Sequence, residues 1–378
     1  MEDKFDPHGE TRIEVDDPQD RVLRHPINSI DGWIAIPVEK TIAVSLSGLV
    51  SESPAGALRV AFYPRVGLDP GAAVGFTAYL DLCGLQLRGR SLTIKFISND
   101  AREVELDFGV TDEAIGLAAS YHSEKGAKEI KLRSLFKGRI ERDSRCFAPS
   151  ALPDGWTVSP VLEEKRDAVS SHLYGPVVNR FLSEFPSGSI FLDAGAGLRK
   201  RPLSNVFSTD IYDYPSTDVI SIGQDLPFKD ESFDGVLSLA VLEHVDDPFL
   251  CARELARVLK PKGRVLVMMP FLQAEHGYPQ HYFNATRSGV VKLFEDLMLK
   301  DQMMTKSNHP ILTINQIVGT YLSGVDEELR GEFSEMPVRR LFELAAKHMR
   351  DEPDDMLNIE AQKALQIAWG TTSVFEKQ

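Results

Sequence analysis

The sequence predicts two architectures in one chain: an antiparallel β-sandwich over residues 25–145, then an α/β domain built on a parallel sheet. In the first half, apolar and polar residues alternate with a period of two, as in SLTIKF (91–96) and EVELDF (103–108), which is typical of half-buried antiparallel strands. In the second half, strand-like segments alternate with a helical one, which is typical of a parallel sheet with helices on both faces. Residues 1–24 are expected to form a polar, disordered tail.

The α/β half contains buried strand-like segments and one clear helix. In PFLCARELARVLKPKG (248–263), apolar residues recur at helical spacing until Pro261 and Gly263 end the helix. Because crossovers between parallel strands are right-handed, the first strand is expected at the centre of the sheet, beside the point where ligands bind. The predicted strands are SIFLDAG (189–195), VFSTDI (206–211), DVISI (218–222), FDGVLSLAV (233–241) and GRVLVMMP (263–270).

The C-terminal part is predicted to complete this domain. Residues 313–333 and 338–349 have the pattern of amphipathic helices. A final strand is predicted in 364–378, with 297–304 as its hairpin partner.

Composition limits the class of protein. The formal net charge of −14 argues against a nucleic-acid partner, since binding to phosphates depends on clustered Lys and Arg. No apolar segment reaches the roughly 18 residues of a membrane span, and the acidic start lacks the features of a signal peptide. Cys83, Cys146 and Cys251 show no CxxC spacing, which predicts neither a disulfide framework nor a zinc knuckle. A cytoplasmic protein with no integral membrane segment is expected.

The loop after the first parallel strand, DAGAGLRKRP (193–202), suits a cofactor. Gly195 and Gly197 let the backbone turn sharply and approach a ligand. The third glycine of GxGxxG is absent, and Asp193 precedes the first, where a carboxylate would repel a pyrophosphate but attract an amine-bearing ligand. Asp210 closes the second strand, from which an acid can bind ribose hydroxyls. A nicotinamide-dependent oxidoreductase is therefore disfavoured, and loop acids without a ligand stay as the alternative.

Four ordered segments together resemble the class I S-adenosylmethionine-dependent methyltransferases, in the branch called methyltransferase type 11. They are FLDAGAG, STDIYD, DLPFKDESFDGVLSLAVLEHVDDP and ELARVLKPKGRVLVMMP, within residues 187–300. The resemblance implies a Rossmann-like seven-stranded sheet, in a domain spanning 146–378 with a C-terminal helical insertion, and S-adenosyl-L-methionine as cofactor. The implied cofactor residues are Asp193, Gly195 and Gly197 at the methionine part, Asp210 at the ribose, Gly223 and Gln224 beside the adenine, and Leu239 in the pocket wall.

The chain departs from the family pattern at two places. Many relatives carry an acid at the end of the third strand to meet the adenine amine, but Ile222 stands there, and Asp225 follows three residues later. The segment from Gly197 to Asn205 is short and basic and leaves little room for the usual first helix. Residues Arg199 to Arg201 could instead bind a substrate anion. Both departures support a second hypothesis, a non-catalytic adaptor with a methyltransferase fold.

HGYPQHY (276–282) follows the fifth strand, where the methyl acceptor is expected. Methyl transfer to a hydroxyl needs alignment and removal of a proton, and His, with a pKa of about 6.5, suits that step. His281 and His276 are the candidate bases, and Tyr282, like Tyr278, would hydrogen-bond to the acceptor or stack on it. His244, in LEHV, is expected to have a structural role.

Two other interpretations of HGYPQHY compete with a catalytic one. A metal site is not expected, because the histidines lie five residues apart with no clear third ligand, and zinc sites need three or four. A stiff turn stays open, since Gly277 and Pro279 are ordinary turn residues.

Two further resemblances indicate an acceptor. PFLQAEHGYPQHYFNAT (270–286) resembles a segment of methyltransferases found with bacterial cell-surface polysaccharide enzymes, and SIDGWIAIP (29–37) resembles modules attached to glycan-modifying transferases. They imply O-methylation of a sugar hydroxyl, on a glycan or a glycan precursor, with glycosyltransferases as partners. Methylation of a small molecule, a protein or a lipid is the alternative within the same class.

Overall fold

The structure is a computed structural model. It divides into two compact units: Met1–Leu239 with Leu250–Val267, and Ala240–Phe249 with Met268–Gln378. No helix in the described part of the chain is long and apolar enough to cross a membrane. The described residues are 13–34, 42–51, 57–63, 74–98, 103–142, 146–149, 171–277, 280–303 and 310–350, with positions 305, 352, 355 and 359.

The first unit begins with two four-stranded β-sheets. Their strands are β1 (Ile13–Asp17), β2 (Val22–Leu23), β3 (Ile27–Ile34), β4 (Ile42–Ser47), β5 (Leu58–Tyr63), β6 (Val74–Asp81), β7 (Ser91–Ser98) and β8 (Glu103–Val110). One sheet has the order β1-β3-β6-β5 and the other β2-β8-β7-β4. Apolar residues of both sheets form one buried cluster, to which Ile30, Phe76, Ile94 and Phe108 contribute. The period-two pattern therefore marks the strand faces that turn away from water.

Two features of this N-terminal part differ from the sequence prediction. β1 and β2 lie within residues 1–24, where a disordered tail is predicted, and Val15 and Leu23 pack on the apolar cluster. After β8 the chain forms a long helix, α1 (Asp112–Leu135), where strands are predicted. The Thr111 hydroxyl caps it by accepting a hydrogen bond from the Ala114 N–H at 3.2 Å.

The rest of the first unit is a seven-stranded sheet with the order β17-β16-β12-β14-β15-β10-β9. Its strands are β9 (Ile140–Arg142), β10 (Phe147–Pro149), β12 (Phe191–Ala194), β14 (Val206–Asp210), β15 (Val219–Ile220), β16 (Phe233–Leu239) and β17 (Leu259–Met268). A separate pair is formed by β11 (Ser171–His172) and β13 (Leu198–Arg199), and the helices here are α2 (Pro176–Ser183) and α3 (Pro248–Arg257). β12 pairs in parallel with both β14 and β16, which confirms its predicted central position. β14 and β15 lie on one side of β12, and β16 and β17 lie on its other side. The strand order therefore reverses at β12, and its carboxyl end lies at the switch point where α/β folds bind ligands.

At one side of the sheet the last two strands, β10 and β9, are not those predicted. β9 and β10 come from residues assigned to the N-terminal domain and its linker, and β9 runs antiparallel to β10. The predicted final strand, 364–378, lies outside the described residues, and residues 297–303 form no strand. The helix predicted over 248–263 ends at Arg257, because β17 begins before Pro261.

The segment between β12 and β14 contains no helix, as its length indicates. All of residues 195–205 are described, and they form the short strand β13, which pairs with β11. Contacts from the N-terminal sheets and α1 hold this region: the Ile27 N–H donates to the Lys200 carbonyl at 3.1 Å. Arg59 forms a buried ion pair with Asp213 at 3.0 Å. Because breaking a buried pair leaves an unpaired charge, such contacts fix the strand ends.

The second unit is mainly helical where it is described. It contains a 3₁₀ turn at Leu242–His244, α4 (Arg287–Leu293), α5 (Pro310–Ser323), α6 (Glu327–Glu335) and α7 (Val338–Met349). α5 and α6 occupy the first segment predicted to be helical, and α7 the second. Asp326 caps α6 by accepting from the Leu329 N–H at 2.9 Å.

Candidate functional site

In the first unit, the carboxylate of Asp193 is fully buried near the carboxyl end of β12. The Tyr174 hydroxyl donates to its Oδ2 at 2.8 Å. Arg199 donates from Nε to the same oxygen at 2.8 Å and from Nη2 to Oδ1 at 3.4 Å. Burial, then the Asp193 charge, raises the pKa of Tyr174 well above its usual value, so the phenol keeps the proton it donates. Asp193 is therefore neutralised by a cation of its own loop.

The arginines of this loop act inside the protein. Arg199 is 3% exposed and pairs with Asp193. Arg201 pairs with Glu113 of α1 at 2.9 Å, and its Nε donates to His25 Nδ1 at 3.2 Å. The expectation of a substrate anion is therefore wrong for Arg199, and Arg201 is already paired with α1. Sequence reasoning missed the pairing because it depends on the register of β13 against β11.

The glycine loop is fastened to Asp210, at the end of β14. Gly195 and Gly197 have φ of +71° and +62°, a region that favours glycine. The Gly197 N–H donates to Asp210 Oδ2 at 2.8 Å, and the Tyr212 N–H donates to Oδ1 at 3.0 Å. Burial raises the pKa of Asp210 to about 7 despite these donors. The glycine loop after β12 and the acid at the end of β14, both predicted to bind the cofactor, are thus in direct contact.

The carboxyl ends of these strands can hold S-adenosylmethionine. The hydroxyls of Ser221, after β15, and Ser238, in β16, are buried without a hydrogen-bond partner in the described structure, so a polar ligand could satisfy them. Among the described residues, Asp193 Oδ1 accepts one long hydrogen bond and keeps capacity for an ammonium. Gly223 and Gln224 lie half-buried in the turn after β15, and Leu239 packs beside the apolar cluster of β12 and β14.

The adenine end lacks the carboxylate expected from the family pattern. Ile222 is buried at that position. Asp225, three residues later, binds Lys137 at 2.6 Å instead. Neither residue therefore offers an unpaired carboxylate for an adenine amine.

In the second unit, three imidazoles contact one another. The ring centroids of His276 and His281 lie 4.5 Å apart, and that of His244 lies 5.2 Å and 5.7 Å from them. Burial lowers the pKa of His244 and His281, which favours neutral rings near pH 7. Gly277 has φ +97°, and a Cβ on it would lie 2.4 Å from His244 Cε1. The glycine of HGYPQHY thus permits close packing on His244, and Tyr278 and Pro279 lie outside the described residues.

The three histidines differ in which nitrogen is engaged. Since a carbonyl only accepts, Nδ1 of His244 donates to the Gln280 carbonyl at 2.7 Å, and Nδ1 of His276 donates to the Ala274 carbonyl at 2.9 Å. Both keep a basic Nε2. His281 uses Nε2 toward the Phe283 carbonyl at 3.2 Å and accepts the His276 N–H on Nδ1 at 3.3 Å. His281 is therefore the weaker candidate base.

Glu243 completes this cluster and had no predicted role. It is fully buried, and neither carboxylate oxygen has a hydrogen-bond partner in the described part of the chain. Burial raises its pKa to about 7. The ligand atoms of Glu243, His244 and His276 lie within 4.8 Å of one another. His276 of HGYPQHY therefore has two further ligand candidates, Glu243 and His244, that the sequence analysis did not consider, and the adjacent Glu-His of LEHV was the signal.

Tyr282, the third predicted catalytic residue, lies at the edge of the cluster. Its side chain is 49% exposed, and its N–H donates to the Glu243 carbonyl at 2.7 Å. The Phe283 ring lies beside it, with centroids 6.3 Å apart. The backbone of this residue supports Glu243, while its ring is open to a ligand.

Comparison with known families gives a match that lies mainly in the seven-stranded sheet. Residues 204–267 match the methyltransferase type 11 family, described as a methyltransferase domain. This match confirms the predicted class and the predicted cofactor, S-adenosylmethionine. The match does not identify the methyl acceptor, so the resemblance to polysaccharide-associated methyltransferases stays a prediction.

Individual relatives cover only parts of the chain. A tRNA (carboxymethyluridine(34)-5-O)-methyltransferase of Arabidopsis thaliana is 33% identical over 29% of this chain and 33% of its own length. The O-methyltransferase rstn1 of Aspergillus nomiae is 44% identical over 13% of this chain and 22% of its own. Among solved structures, YcgJ of Bacillus subtilis has a TM-score of 0.26 at 20% identity, covering 32% of this chain and 65% of its own. The chain thus spans about a third or less of these curated relatives.

Proposed function

We propose that this chain is an S-adenosylmethionine-dependent O-methyltransferase whose acceptor is a sugar hydroxyl on a glycan or glycan precursor. The observation that carries the proposal is the basic Nε2 of His276 beside His244 and Glu243, in a chain with a methyltransferase domain. Two of the curated relatives are named as methyltransferases acting on oxygen, which supports an oxygen acceptor. The N-terminal β-sandwich would serve as an accessory module in the cytoplasm, alongside glycosyltransferases.

S-adenosylmethionine supplies a methyl group on a sulfonium, which an aligned oxygen can displace in line. The chain's own contribution is to hold the acceptor and take its proton. Nε2 of His276 is the group for that proton, because its Nδ1 is fixed by the Ala274 carbonyl. The exposed rings of Tyr282 and Phe283 offer apolar faces on which a sugar ring could stack.

The test is calorimetry with S-adenosylmethionine, followed by a methyl-donor assay against sugar nucleotides and glycan pools. His276→Ala should keep cofactor affinity within about threefold and lose about 10²-fold or more in kcat. His122→Ala, an exposed histidine on α1, is the matched control and should leave both unchanged. Equal loss of binding and turnover in His276→Ala would mark a structural residue instead.

Two other outcomes would replace the proposal. Folded protein that gives no heat with S-adenosylmethionine would favour a non-catalytic adaptor. Methylation of tRNA but not of saccharides would favour the acceptor that the Arabidopsis relative's name describes. The formal net charge of −14 argues against that second candidate.

A further inference from the structure

Glu243 has an unusual environment for an acid. Its side chain is 0% exposed, and its oxygens have no hydrogen-bond donor among the described residues. An isolated buried carboxylate is strongly disfavoured, and proteins pair such groups or use them to bind metals. The nearest ionisable partner is His244, whose Nε2 lies 4.0 Å from Oε1. That distance is too long for a hydrogen bond, but it leaves room for an ion between the two atoms.

The neighbouring histidines are oriented as metal ligands usually are. His244 and His276 each donate from Nδ1 to a backbone carbonyl, of Gln280 and Ala274. Such hydrogen bonds fix the tautomer and the ring, and they leave Nε2 as the ligand atom.

The backbone around the cluster is also fixed. The N–H groups of Tyr282 and Phe283 both donate to the Glu243 carbonyl, at 2.7 Å and 3.2 Å. Gly277 packs against the His244 ring in a conformation that few other residues adopt. The Glu243 carboxylate and Nε2 of His244 and His276 are thus left free to bind a ligand, because the Nδ1 atoms and the backbone make the hydrogen bonds that position these residues.

We propose that Glu243, His244 and His276 bind a divalent first-row transition-metal ion, of which Zn²⁺ is the best match. Two imidazoles and one carboxylate are an established ligand set for zinc sites that keep an open position. Imidazole ligands disfavour Mg²⁺ and Ca²⁺, which take oxygen. Where the proposed function holds, an acceptor hydroxyl in the open position would lose its proton to solvent more easily, because a bound cation lowers its pKa. His276 would then act as a ligand rather than as the base.

Cobalt titration of the full chain, purified with a chelator, tests the site without reference to methyl transfer. Co²⁺ should produce visible absorption that saturates at one ion per chain, and Zn²⁺ should abolish it. Glu243→Gln and His276→Ala should each weaken Co²⁺ binding at least tenfold. Glu275→Gln removes a neighbouring exposed acid and should bind as the wild type does. Circular dichroism checks that each variant is folded.

The metal site would be overturned if neither Co²⁺ nor Zn²⁺ saturated the protein at about 100 µM. It would also be overturned if both folded variants bound Co²⁺ with unchanged affinity. The outcomes also separate the two proposals. Metal binding without methyl transfer would refute the proposed function alone. Methyl transfer by protein that takes up no metal, and that a chelator does not inhibit, would refute the metal site alone.

Discussion

Asp193 and Glu243 are two fully buried carboxylates with opposite surroundings. Asp193 has a guanidinium and a phenol as donors, both held at 2.8 Å from one oxygen. Glu243 has no hydrogen-bond partner in the described structure. The first satisfies the rule that buried charges are paired, whereas the second can satisfy it only with a proton or a ligand.

The difference separates an acid that supports the fold from an acid that is available for chemistry. Asp193, predicted as one of the cofactor contacts, already accepts hydrogen bonds from Arg199 and Tyr174, and an ammonium would have to share it. Glu243, without a predicted role, keeps all of its acceptor capacity. Burial alone therefore does not identify a functional carboxylate; its partners do.

The largest expected effect comes from removing the paired acid. Asp193→Ala should lower the free energy of unfolding by about 3 to 5 kcal/mol, because Arg199 would stay buried without a counter-charge. Urea denaturation measures this change. The double variant Asp193→Ala/Arg199→Met removes both charges and should recover most of the loss. A cost below about 1 kcal/mol in the single variant would show that Arg199 finds another partner or water.

Much of the fold follows from local sequence patterns. Strand alternation and the glycine loop are encoded in short segments, so the central position of β12 was predictable. α1 was missed because the face that it buries carries two small residues and a cation, Ala114, Ala118 and Lys128, which weakens its apolar periodicity. The strands β9 and β10 have only three residues each, too few for a periodic signal.

The candidate site was less predictable, for a physical reason. Residue types mark what can bind, but partners are set by tertiary contacts between segments distant in sequence. Asp193 and Arg199 meet through the register of β13, and Glu243 meets His276 across more than thirty residues of chain. The sequence leaves open whether His276 or His281 is the base, because the hydrogen bonds of each ring nitrogen depend on the fold.

The unpaired acid should make stability depend on pH. The pKa of Glu243 is about 7 in the folded protein against the usual 4.5, so the unfolded chain loses its proton first as pH rises. The free energy of unfolding should therefore fall between pH 4.5 and 7, by about 3 kcal/mol for this group. Glu243→Gln has no carboxyl to titrate at this position. The free energy of unfolding of the variant, relative to that of the wild type, should therefore rise by about 3 kcal/mol from pH 4.5 to 8.

Urea denaturation across this pH range measures the difference between the two proteins. Asp210, whose pKa is also raised to about 7, affects both equally and cancels. Saturating Zn²⁺ at pH 8 should stabilise the wild type alone, because an ion at the carboxylate replaces the missing partner. Parallel pH curves would mean that water or another donor reaches Glu243.

The smallest effect concerns the packing that positions His244. Gly277→Ala should weaken Co²⁺ binding about tenfold, or about 1.4 kcal/mol, because its Cβ would lie 2.4 Å from His244 Cε1 and must displace the ring. Gly89→Ala is the matched control: Gly89 has φ +85°, so alanine brings the same backbone strain, but its Cβ would meet nothing within 4 Å. It should lose stability by about 1 to 2 kcal/mol and keep Co²⁺ affinity. Equal Co²⁺ affinity in both variants would show that the ring adjusts, and that Glu243 and His276 carry the binding without a fixed His244.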